Sequence, residues 1–153
     1  MSRGTRTIPL AWSGPIPFTR QALDEHETAL AVREGKVNAE CAIRGPGVYG
    51  LGREERGMLI IGCTPIYVGE AIDIAARLRR HLSPTSRSET LAGHVTGKPV
   101  FFWYANLDLR DRKLAEEALI RHHRPLANTV HKPGEPAFDV VLKGPVPNWR
   151  RNP

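Results

Sequence analysis

Cysteine is scarce: among 153 residues only Cys41 and Cys63 occur, and they form neither a Cys-x-x-Cys pair nor a Cys/His array. A zinc knuckle or a disulfide scaffold is therefore excluded as the organising feature, and both cysteines read as small hydrophobes. Long apolar runs are missing too. No segment approaches the roughly 20 consecutive apolar residues that a membrane-spanning helix requires. The first residues carry two arginines but then Pro9, Trp12, Gly14 and Pro15, and lack the apolar stretch of a signal peptide, so a cytoplasmic location is expected. Internal repeats and low-complexity segments are also lacking.

What is present fits one globular unit. Hydrophobic residues make up 41% and charged residues 25%, in a chain long enough to bury one core and too short for two ordinary domains. The net charge of +6 is unevenly spread: residues 1–72 hold 8 Lys/Arg against 8 Asp/Glu, and residues 73–153 hold 14 against 8. The second half suits a polyanion, although a merely basic surface has the same composition.

Local signals divide the chain into an N-terminal arm and helix over 1–44, a core over 45–130, and a tail over 131–153. Residues 1–17 show no periodicity and read as an extended arm. Thr19 is a helix N-cap candidate for a segment reaching about Gly35. Val48 to Leu51 and Ile66 to Val68 read as strands joined through the charged turn at 53–57 and the run 58–61. Ile74, Leu78 and Leu82 recur at i, i+4 and i+8, which predicts a helix over 72–82. A polar loop reaches Pro99, and Val100 to Tyr104 is the richest stretch in β-branched and aromatic residues. A helix over 109–123 must end before Pro125. In the tail only Phe138 to Leu142 looks like a strand. The expected fold is α/β, a small three-stranded antiparallel sheet flanked by helices, with an N-terminal helical extension.

Candidate site residues emerge from spacing. Arg77 and His81 are i, i+4 neighbours on one flank of the apolar stripe, where a cation and an imidazole suit a phosphate; the same spacing fits a surface ion pair between Asp73 and Arg77. On the second helix Glu117 lies between Lys113 and Arg121 and looks solvated. Glu116 has Leu119 and Ile120 as its i+3 and i+4 neighbours, so its carboxylate lies at the edge of the apolar face and calls for a cation. Tyr49 and Tyr67 read as strand packing by themselves, but next to positive charge a phenol moves towards the range of a general base. His122 and His123 close a helix, where cations suit the dipole. Asn128 alone is a turn residue.

In order, the chain contains Gly47-Val48-Tyr49, Tyr67-Val68-Gly69 followed by Arg77 and His81, Glu116 with Leu119-Ile120, and then Pro125 and Asn128. This set, spanning about residues 45 to 130, resembles the GIY-YIG nuclease superfamily. The resemblance implies a divalent-metal-dependent DNA endonuclease with Tyr49, Tyr67, Arg77, His81, Glu116 and Asn128 in its active site. It implies one Mg²⁺ or Mn²⁺ held by Glu116, Tyr49 as general base, and DNA, double-stranded, as partner. Arg79, Arg80, Arg110, Arg112 and Lys113 are the expected nucleic-acid contacts. Glu70 stands where several members carry lysine, which removes a positive charge near the expected phosphate. An alternative is a nucleic-acid-binding module on the same fold with weak or no catalysis.

Overall fold

Valine, phenylalanine, tryptophan and tyrosine crowd into one short run, Val100–Asn106, and it forms an interior strand of the protein's main sheet. A computed structural model of the chain describes residues 4–33, 42–54, 63–85, 89–95, 97, 99–128, 138–143, 146 and 149. Its strands are β1 (Gly4–Pro9), β2 (Ser13–Pro17), β3 (Gly47–Arg53), β4 (Thr64–Ala71), β5 (Val100–Asn106) and β6 (Phe138–Lys143). The α-helices are α1 (Arg20–Arg33), α2 (Ile74–Leu82), α3 (Glu89–Val95) and α4 (Leu109–His123). A mixed α/β architecture results, with an antiparallel sheet in the order β2-β5-β3-β4 and helices on both faces.

The main sheet has four strands where the sequence predicts three. Ser13–Pro17 carries two prolines and no alternation, so nothing in its pattern announces a strand, yet it pairs along the edge of β5. Edge strands tolerate proline because one row of their backbone groups has no ladder to serve. The remainder of the supposed arm is also a strand, since β1 pairs in parallel with β6 over Gly4↔Phe138 to Pro9↔Lys143. Within the expected polar loop α3 is a further addition, seven residues of which Leu91 is buried. The charged turn expected at 53–57 is described only as far as Glu54, with Arg53 closing β3, and the run 58–61 lies outside the described residues.

Capping sets the helix starts. Thr19 Oγ1 accepts from the Ala22 amide at 3.1 Å, Asp73 from Ala76 at 3.0 Å and Asp108 from Asp111 at 2.9 Å. Asp73 therefore moves the start of α2 two residues past the predicted Ile72, which is left 71% exposed. Helix α4 has its predicted bounds and ends at Arg124 in the left-handed region (φ 51°), just before Pro125.

Strand alternation sends side chains to two cores. On one face Tyr49, Leu51, Ile66, Phe102 and Tyr104 pack with Leu23 and Leu30 of α1, Ile74 and Leu78 of α2, and Leu91 of α3. On the other, Val48, Val68, Trp103 and Ala105 pack with Ala115 and Leu119 of α4 and with Ile8, Leu10 and Val146 from the ends of the chain. Gly50 and Gly52 leave this second face hollow, and Trp149 fills the hollow: a Cβ on Gly50 would lie 2.5 Å from its Cη2. Among the described residues no helix is long and apolar enough to cross a membrane.

Candidate active site

Tyr49 stands on a central strand and points to the α2 face, where its ring is wholly buried. Its cross-strand partner on β4 is Gly69, and any side chain there would collide with the phenol, since a Cβ would sit 2.5 Å from Tyr49 Cζ. The glycine thus lets the tyrosine lie flat across the neighbouring strand. Two residues back, Tyr67 shares this face by the period of two, half-buried, with its ring centroid 6.1 Å from that of Tyr49.

Helix α2 closes the group from above. His81, one turn beyond Arg77, brings Nε2 to 2.7 Å from the Tyr49 hydroxyl, and its ring centroid lies 5.1 Å from that of Tyr67. Burial holds the His81 imidazole down at a pKa of about 4, and the nearby Arg77 and Arg80 charges push the same way. At neutral pH the ring is uncharged, and in the Nδ1–H tautomer its Nε2 accepts from the Tyr49 O–H.

For Tyr49 itself burial outweighs the cation. Loss of solvent pushes the phenol well above its usual range, Tyr67 and the Glu116 carboxylate add to the rise, and Arg77 only partly opposes it. The expectation that neighbouring positive charge brings this tyrosine towards ionisation is corrected here: desolvation is the larger effect, and Tyr49 is a neutral phenol bonded to a neutral imidazole.

Glu116 lies on α4 beside the buried Ala115, half-buried, and near enough to Tyr49 for its charge to be felt by the phenol. Among the described residues no cluster of three or more His, Cys, Asp or Glu side chains forms a metal cage. A single carboxylate suits a hard cation such as Mg²⁺ or Mn²⁺, which keeps waters and takes substrate oxygens to complete its shell, and it does not suit zinc.

Asn128 is placed differently from the expectation of an active-site hydrogen-bonder. Its Oδ1 accepts from the Val68 amide at 2.8 Å and its Nδ2 donates to the Val68 carbonyl at 2.9 Å. Together with Leu126 N–H to the Pro65 carbonyl (3.2 Å) and Ala127 N–H to the Ile66 carbonyl (2.7 Å), it ties the segment after α4 to the free edge of β4. Both polar ends of Asn128 are thus engaged by one residue of β4.

The expected nucleic-acid contacts separate into two groups. Arg80, Arg110 and Lys113 are exposed. Two others are engaged in ion pairs within the chain, Arg79 at a partly exposed contact with α1 and Arg112 in the interior, unlike the surface cations that the sequence suggests. Arg79 pairs with Asp24 at 2.8 Å and with the buried Glu27 of α1. Arg112, only 5% exposed, has Nε 3.0 Å from Glu70 Oε2. Its burial was open to detection, because Arg112, Ala115, Leu119 and His123 recur at i, i+3, i+7 and i+11, and all four face inward. His123 lies against Trp149, ring centroids 5.0 Å apart.

Sequence reasoning missed what α1 does. Glu27 bonds to Arg44 and Arg79, and although burial pushes its carboxyl up, these two guanidinium groups outweigh burial and hold it below its usual value. His26 is 2.7 Å from the Tyr104 hydroxyl. Helix α1 is thereby pinned to the sheet and to the helix that carries Arg77 and His81.

No family model matches this chain, and no curated protein matches it. Among solved structures it is similar to the GIY-YIG N-terminal endonuclease domain of UvrC from Thermotoga maritima. One point mutant of that domain, bound to the catalytic divalent cation, shares 25% identity over 58% of this chain and 88% of that one, with a TM-score of 0.39. A second point mutant, also bound to its catalytic divalent cation, shares 26% over the same spans with the same TM-score.

Proposed function

We propose that this protein is a divalent-metal-dependent endonuclease that hydrolyses phosphodiester bonds of DNA, duplex DNA in the first instance. The observation that carries the reading is the Tyr49 hydroxyl, bonded at 2.7 Å to a neutral imidazole and lying within the field of both Arg77 and Glu116. A phenol above its usual pKa is a poor base by itself. Coupled to His81 it becomes a relay: as the Tyr49 oxygen takes a proton from the attacking water, its own proton passes to Nε2, so no phenolate accumulates. Tyr67, the half-buried tyrosine of the pair, orients that water. Arg77 offsets the charge that grows on the phosphoryl oxygens. Glu116 would hold one Mg²⁺ or Mn²⁺, which when bound supplies Lewis-acid stabilisation of the phosphate and the leaving oxygen.

Exposed Arg80, Arg110 and Lys113 would contact flanking phosphates. The alternative of a binding module without catalysis drew on Glu70, and that residue is tied to Arg112 on the α4 side of the sheet, away from Tyr49 and Tyr67.

The test is plasmid relaxation with Mg²⁺ or Mn²⁺. Glu116→Gln is expected to abolish detectable cleavage while retaining DNA binding, and Glu117→Gln to have a small effect. Cleavage by Glu116→Gln at the wild-type rate would remove the metal assignment.

A further inference from the structure

Glu70 and Arg112 occupy an unusual position relative to the proposed metal ligand. Arg112 and Glu116 are i, i+4 on α4, a spacing at which a guanidinium and a carboxylate lie on adjacent turns of one face and attract each other. Arg112 is nearly fully buried, so little solvent weakens that attraction, and its Nη1 has no hydrogen-bond partner. Yet the guanidinium is held at 3.0 Å by a carboxylate from a different element, Glu70 of β4. Alternation explains how the two meet. Tyr67 and Gly69 face the tyrosine site, and Glu70 at the next position faces α4 together with Val48, its partner on β3.

We infer that Glu70 is a positioning residue that sequesters the Arg112 charge from Glu116, so that the carboxylate of Glu116 answers to a divalent cation and not to the arginine one turn before it. The inference rests on the proposed role of Glu116. Without the Glu70 charge, a buried guanidinium with unmet donors has Glu116 as its i+4 neighbour, and an arginine that turns to that carboxylate competes directly with the metal. The neutralised site then binds the metal more weakly even though Glu116 is unchanged.

The experiment is Mn²⁺ titration of the full chain, followed by isothermal calorimetry or by water-proton relaxation, with folding monitored by circular dichroism. Glu70→Gln is expected to weaken Mn²⁺ binding about tenfold. Arg112→Met is expected to bind as tightly as wild type or tighter. The double variant Glu70→Gln/Arg112→Met is expected to recover to within about threefold of Arg112→Met, a rescue that a merely structural role of Glu70 would not produce. Wild-type affinity in Glu70→Gln, or a double variant as weak as Glu70→Gln, overturns the inference. If Glu70→Gln does not fold, Arg112→Met decides: a loss of Mn²⁺ affinity there overturns it equally. Failure of the wild-type chain to take up Mn²⁺ removes the metal assignment itself, an outcome distinct from unchanged binding in Glu70→Gln.

Discussion

Gly69 lies beneath the Tyr49 phenol as its cross-strand partner, and the space that a methyl group would need is already filled by the ring. Gly69→Ala must push that ring away from His81. Its cleavage rate is expected to fall by at least about 100-fold, the loss typical of a general base removed, with a stability cost of about 1–3 kcal/mol for overpacking. Tyr49→Phe keeps the ring, deletes only the hydroxyl, and should lose as much activity at a smaller cost in stability. Combining the two should cost no further activity. Plasmid relaxation and thermal unfolding measure both quantities, and Gly69→Ala cutting at the wild-type rate would break the link between this glycine and the phenol.

A pH dependence follows from His81. Its pKa falls from the ordinary 6.5 to about 4 on folding, so between these values the unfolded chain binds a proton that the folded one does not. Stability should therefore decline as pH drops from 6.5 to 4, by up to about 3 kcal/mol, and this part should change no further below 4. His81→Gln should flatten the decline in thermal-unfolding scans. Cleavage should lose its proton acceptor only near pH 4, well below the range expected of an ordinary histidine. A rate already halved at pH 6.5 would place the relay elsewhere, and full activity in Tyr49→Phe with none in His81→Ala would make His81 the base.

Asn128 offers Val68 one acceptor and one donor. Asn128→Asp retains the acceptor but sets a carboxylate oxygen against the Val68 carbonyl. The expected loss is about 1–3 kcal/mol, that of an unmet backbone carbonyl plus repulsion. Cleavage should fall with it, because the edge of β4 carries Tyr67. Denaturant unfolding reads the loss, and an unchanged midpoint would free Asn128 for a role at the substrate.

Basic residues should divide by effect. Alanine at Arg80, Arg110 or Lys113 is expected to weaken DNA binding across sequences alike and to lower the salt slope by about one per phosphate contact. Arg79→Ala should instead destabilise the fold by about 1–3 kcal/mol, since Glu27 is buried and loses one of its two cations. A filter-binding series over salt, beside thermal unfolding, separates these behaviours. Arg79→Ala with unaltered stability and weak DNA binding would return Arg79 to the surface group.

Much of the arrangement could be read from sequence because periodicity and capping carry it: α4 has its predicted bounds, and β3, β4, β5 and α2 are placed within a few residues. Two kinds of information were not local. β2 exists because β5 offers it an edge, and β1 because β6 does, and neither segment signals its partner. Ending the second strand at Val68 hid the orientation of Glu70. Carried on to Ala71, as in the structure, strand alternation places that charge on the face of Arg112 and not of Tyr67. The ordering of Tyr49, Tyr67, His81 and Glu116 was legible as spacing. Their burial, which sets the protonation of the first and third, became visible only once α2 lay over the sheet.

The parallel pairing of β1 with β6 has a consequence for how the molecule is made. Gly4–Pro9 has as its strand partner Phe138–Lys143, a pairing of Gly4 with Phe138 that joins segments far apart in the sequence. Such a closure is slow relative to local structure because the chain between must already be compact before the ends profit from meeting. The helices and the β3, β4 and β5 pairings can assemble during synthesis, while the hollow at Gly50 and Gly52 waits for Trp149. A truncation before residue 138 would keep every residue of the proposed site yet remove both that cover and the partner of β1, so it is the second core, and not the Tyr49 face, that depends on the distant pairing.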